Sequence, residues 1–160
     1  MSYAPQQQYA AHPAGPVPLS APLYGASFGE AVSRFFKKYS TFTGRASRSE
    51  YWWWALVSGL VSMILNFGML AAGVPGAKIA ADGTSVPGPG YIIVLILAVI
   101  WFAAVIVPSL ALMVRRLHDA NFSGWMALLG LVPFVGGIIL IVFTVMESKP
   151  AGQRFDAPGL

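Results

Sequence analysis

The ionisable residues best placed to do chemistry fall in two short runs. GRASRSEYWWW at 44–54 holds Arg45, Arg48 and Glu50, and RRLHDANFSG at 115–124 holds Arg115, Arg116, His118 and Asp119. Guanidinium forks match the oxygens of a phosphate. A histidine beside carboxylates suits proton transfer or, with enough ligands, a metal. His118, Asp119 and Glu50 are too few for a tight metal site, because the other histidine, His12, lies far away near the N-terminus. With no cysteine in the chain there is no thiolate, thiol nucleophile or disulfide. No glycine loop that cradles phosphate and no nucleophile elbow is present. The sequence therefore predicts no catalytic residue, no metal and no cofactor. It predicts a polar cluster that staples helix ends or holds an anionic headgroup.

The elements around these runs decide where they sit. Ser47-x-x-Glu50 has the spacing of a capping box, so a helix starts there, with the carboxylate at its positive end. Tyr51, Trp52, Trp53 and Trp54 follow at the depth where amphipathic rings settle in a membrane interface, and Trp125 takes the same place after the second run. Arg115 and Arg116 close another helix on the same side. Glu50 is expected to neutralise one of them, and Arg45 and Arg48 to set orientation.

Composition supplies the membrane. Of 160 residues 56% are hydrophobic and only 10% charged, against roughly 25% in an ordinary soluble domain, with mean hydropathy +0.66. The net charge of +4 sits beside apolar spans and forms no broad basic face, which favours anionic lipid over nucleic acid as partner. Three uncharged stretches, 51–73, 91–114 and 125–146, each exceed the roughly 20 residues that cross about 30 Å of hydrocarbon. They lack the alternation of barrel strands. The expected fold is an all-α membrane protein with three transmembrane helices. Residues 28–40 precede them as an amphipathic helix, aromatic on one side and basic on the other, lying in the interface and able to bind a membrane surface by itself. Residues 1–27, rich in Pro, Gln and Ala, read as a disordered tail without a cleavable signal, so insertion starts internally. Residues 147–160 form a C-terminal tail.

Lys and Arg counts near the span ends predict a cytoplasmic N-terminus, a cytoplasmic second loop and an external C-terminus. The alternative for the last step is a third segment broken at Val132-Pro-Phe-Val-Gly-Gly137, re-entering and returning the C-terminus to the cytoplasm. A kinked single span is the simpler reading. Pro108 removes a bond to Ala104. Asn66 should face another helix, and Ala55-x-x-x-Gly59 and Ser58-x-x-x-Ser62 offer small faces for contact within the chain or between copies. The favoured function is a non-catalytic membrane module that binds anionic phospholipid headgroups or a partner, another copy or a different membrane protein. The alternative, a component of a small-molecule transporter or channel, rests on Asn66 alone, because the spans carry none of the charged residues that line such pathways.

Gly44-Arg45-x-x-Arg48-x-Glu50-Tyr51-Trp52, then Arg115-Arg116-Leu117-His118-Asp119 and Ser123-Gly124-Trp125, resemble the YhaH-like family of small bacterial inner-membrane proteins, a domain of unknown function. The resemblance covers roughly residues 28–156. It implies a multi-pass protein of the bacterial inner membrane and supplies no activity, substrate or catalytic residue. The family tail Pro-Gly-x-Asn-Arg-Phe-Gly is matched at Pro150, Arg154 and Phe155, while Ala151, Gln153 and Asp156 depart from it.

Overall fold

A computed structural model describes residues 17–156, so the first 16 residues of the expected tail lie outside the described residues. Four α-helices, α1 (Phe28–Lys37), α2 (Arg48–Gly73), α3 (Pro89–Asp119) and α4 (Val135–Val145), alternate with two 3₁₀ segments, Gly124–Leu131 and Pro150–Phe155. A two-residue antiparallel ribbon, β1 (Lys78–Ile79) and β2 (Ser85–Val86), pairs Lys78 with Val86 in the loop between α2 and α3.

Both N-terminal helices begin with a capping box. Ser47 and Glu50 exchange bonds at the start of α2, as the spacing predicts, and the structure adds a second box between Ser27 and Glu30 at the start of α1. α2 and α3 are long and apolar enough to cross a membrane, and they pack against each other. Pro108 lies inside α3 and cannot donate to the Ala104 carbonyl. That oxygen accepts instead from the Tyr39 hydroxyl at 2.8 Å.

The core sits at one end of the helix pair and is aromatic. Phe35 of α1 stacks on Trp54 with ring centroids 3.4 Å apart, Trp101 lies on the other side, and the Trp54 indole donates to Ser109 Oγ. Trp54, expected as an interface anchor, is therefore a core residue. Trp52, Trp53 and Trp125 are exposed and Tyr51 is half-buried.

Three expectations are corrected here. Residues 17–27 do not continue a tail. They form a strap in which Leu23 and Ala26 are buried and bonded to the start of α2. α1 does not turn its whole basic side outward, because Arg34 and Lys38 are buried with Ala31 and Phe35. The third apolar stretch is not one helix. It breaks at Val132–Phe134, where Phe134 has φ +61°, and its two arms pack on each other, with Gly136 pressed against the Leu129 carbonyl. The arms start and finish at the same place: Gly124 lies against His118, and Arg116 bonds the carbonyls of Thr144 and Met146.

Candidate functional site

The polar side chains gather where α2 begins and α3 ends, around two carboxylates. Glu50, 3% exposed, is the first. Its Oε1 accepts from Arg34 Nε at 2.6 Å, and its Oε2 from the amides of Ser47 at 2.8 Å and Leu23 at 3.1 Å. The remaining Arg34 nitrogens donate to the carbonyls of Val17, Pro18 and Ala21, so one guanidinium ties the strap to α1 and α2. Glu50 was expected to pair with Arg115 or Arg116. Arg34 wins because it projects from the buried stripe of α1 straight onto the first turn of α2.

Arg115 donates to the carbonyls of Lys38 and Thr41, just past the end of α1, and its Nε has no hydrogen-bond partner among the described residues. Cations are favoured at a helix C-terminus, where carbonyls point outward. Lys38 lies beside it, with its amine 3.5 Å from the Arg45 carbonyl. Burial pushes the Lys38 amine down to about 8; Glu50 opposes that shift, and the guanidiniums of Arg115 and Arg34 add to it.

Asp119, fully buried, is the second hub. Its Oδ2 accepts from Arg116 Nη1 and Ser148 Oγ, each at 2.5 Å, and its Oδ1 from the Tyr24 hydroxyl at 3.0 Å. Burial first, then the Asp119 charge, holds the Tyr24 phenol above its ordinary value. Arg45 reaches toward Asp119 at 3.8 Å and grips Asp156 with Nε and Nη2 at 2.8–3.1 Å. The C-terminal 3₁₀ segment closes over this hub. Phe155 stacks on the His118 ring, with centroids 4.0 Å apart and planes within 5°, and His118 Nδ1 lies 3.1 Å from the Gly44 carbonyl. Gly44 has φ +78° and packs against the Ser20 carbonyl, a position that only glycine fills without strain.

Of the seven residues singled out from sequence, six enter this network; Arg48 stays at its exposed rim, 3.5 Å from the Val145 carbonyl. Glu50 and the His118–Asp119 pair do not meet, and no three His, Asp or Glu side chains among the described residues come close enough to share a metal. Sequence reasoning missed Tyr24, Arg34, Lys38, Ser148 and Asp156. A signal existed for two of them: Ala31, Arg34, Phe35 and Lys38 are spaced i, i+3, i+4, i+7, one face of a helix. Each carboxylate and guanidinium of the network bonds groups within the chain, with Arg115 Nε left over, which suits clamping of helix ends. The cations left facing outward at this end of the helix pair are Lys37, Arg48, Lys149 and Arg154, all exposed.

Residues 39–157 match a family model described as "Protein of unknown function (DUF805)". The chain is 35% identical over 119 residues to the inner membrane protein YhaI of Escherichia coli (strain K12), covering 74% of this chain and 86% of that one. It is also 35% identical over 122 residues to the inner membrane protein YhaH of the same strain, covering 76% and 89%. No solved structure matches it.

Proposed function

The chain belongs to the DUF805 family, and from that membership we propose an inner-membrane module with two crossing helices and one re-entrant hairpin, both ends cytoplasmic. α2 and α3, of 26 and 31 residues, are ~39 and ~46 Å long, more than the ~30 Å of hydrocarbon they must cross. α4, of 11 residues, is only ~16 Å long. The observation that carries the reading is the Arg116 guanidinium, which bonds Thr144 and Met146 and so holds the far end of the hairpin beside the end of α3. Charge supports it. Nine of the ten Lys and Arg residues then lie on one side and only Lys78 on the other, a distribution that favours the cytoplasm for the nine.

The module is non-catalytic and binds anionic phospholipid headgroups. The ligands are the exposed rim cations rather than the buried cluster, whose guanidiniums are shielded from solvent and each already bond protein oxygens. Each cation near an anionic surface contributes ~1 kcal/mol, and the adjoining Trp52 and Trp53 offer rings at headgroup depth. Asn66 donates back to the Ser62 carbonyl of its own helix, which gives the transporter reading no polar path. The test is mass spectrometry of lipids that co-purify from native membrane. The expected result is anionic lipid retained by the wild type and by Arg34→Gln, and reduced in Arg48→Gln/Lys149→Gln. Equal retention in the rim variant contradicts the reading.

A further inference from the structure

Between Ala55 and Ala104 the only buried residue is Gly88. Over that stretch α2 and α3 pack on each other, with Gly68 against Val94, Gly73 against Tyr91 and Gly90 against Ala72. At the other end the same two helices are joined by α1, by the 3₁₀ arm Gly124–Leu131 and by α4. An eight-residue 3₁₀ arm and an eleven-residue α-helical arm each reach ~16 Å, half the hydrocarbon thickness. The cross-section therefore holds five elements in one leaflet and two in the other.

We infer that the protein is a wedge which prefers curved membrane, with its broad cluster end in the leaflet on the convex side. This rests on the two-crossing reading above. Lipid around a flat-bilayer copy has to fill the narrow leaflet while being displaced from the broad one. Bending toward the narrow side relieves that mismatch. α1 adds to the asymmetry. Its Phe28 and Phe36 are 52% and 50% exposed, and a helix laid into one leaflet with apolar side chains expands that leaflet alone. The lone exposed cation at the narrow end, Lys78, leaves that end without a comparable interfacial collar.

The chain has no cysteine, so single cysteines report orientation cleanly. Full-length protein is reconstituted in both orientations into giant vesicles of mixed zwitterionic and anionic lipid, and narrow tubes are drawn from them. An impermeant dye added outside labels Gln153→Cys only in copies with the cluster end outward, and Ser85→Cys only in copies with it inward. Both positions are exposed. The expected result is roughly twofold enrichment in the outward-curved tube for Gln153→Cys copies and roughly twofold depletion for Ser85→Cys copies. The same tube-to-flat ratio for both variants overturns the wedge, as does a pair of copies covering each other's narrow ends. A Ser85→Cys/Gln153→Cys double variant separates this from a failure of topology: one external dye per copy keeps the two-crossing reading, and two or none removes it.

Discussion

Glu50→Gln isolates the charge at the centre of the clamp while keeping its volume. Glutamine retains one carbonyl oxygen but sets an NH₂ against one side of a site where Arg34, Ser47 and Leu23 all donate. Arg34, 7% exposed, loses its only carboxylate. Stranding one partner of a buried pair costs ~3–5 kcal/mol, and the three strap carbonyls still held by Arg34 put the expectation near the lower figure. Weakening the capping box adds up to about 1 kcal/mol. Reversible unfolding in mixed detergent micelles measures the loss, and a double-mutant cycle assigns it. Coupling of Glu50 with Arg34→Gln should reach ~2 kcal/mol, while coupling with Arg116→Gln stays within ~0.5 kcal/mol. Additive losses for Glu50 and Arg34, or strong coupling to Arg116, refute the two-hub description.

Other consequences can be checked in the same assay. Gly136→Ala drives a Cβ into the Leu129 carbonyl and should cost ~1–3 kcal/mol, whereas Gly137→Ala, with open space around it, should cost little. Tyr39→Phe leaves the Ala104 carbonyl without its donor at a cost of about 1 kcal/mol, and the effect should shrink in a Pro108→Ala background, where the helix supplies its own N–H. Lys38 has a folded value of about 8 against an ordinary 10.5, so the unfolded chain binds more protons between those values. Its charging penalty is present in full below pH 8, and stability should rise by ~3 kcal/mol as pH increases from 8 to 10.5. Lys38→Met should abolish that rise and stabilise the protein at pH 7.

The long apolar runs and the Ser47/Glu50 cap were legible because each is a local pattern: length, hydropathy and three-residue spacing suffice. The bend in the third run was legible as an alternative from Pro133 and Gly136–Gly137. Choosing between a kink and a hairpin needed the bond from Arg116 to Thr144 and Met146, about thirty residues away, and no local pattern encodes that contact. Proximity to the membrane face brought the right arginines and carboxylates into one region but not into the right pairs. By charge Arg34 belongs with the basic side of α1, but by periodicity it shares a helical face with Ala31 and Phe35, and periodicity wins. Asp156, where this tail departs from the family pattern, gives Arg45 a carboxylate to bond directly, since Asp119 already accepts from Tyr24, Arg116 and Ser148 and lies 3.8 Å from Arg45.

The two-crossing account stands or falls on which side of the membrane the C-terminal segment occupies. In intact cells expressing full-length single-cysteine variants, an impermeant maleimide should label Ser85→Cys in the loop between α2 and α3. It should leave Gln153→Cys untouched until the inner membrane is opened. Labelling of Gln153→Cys in intact cells, together with Ser85→Cys, contradicts the re-entrant hairpin and makes the third apolar stretch a crossing.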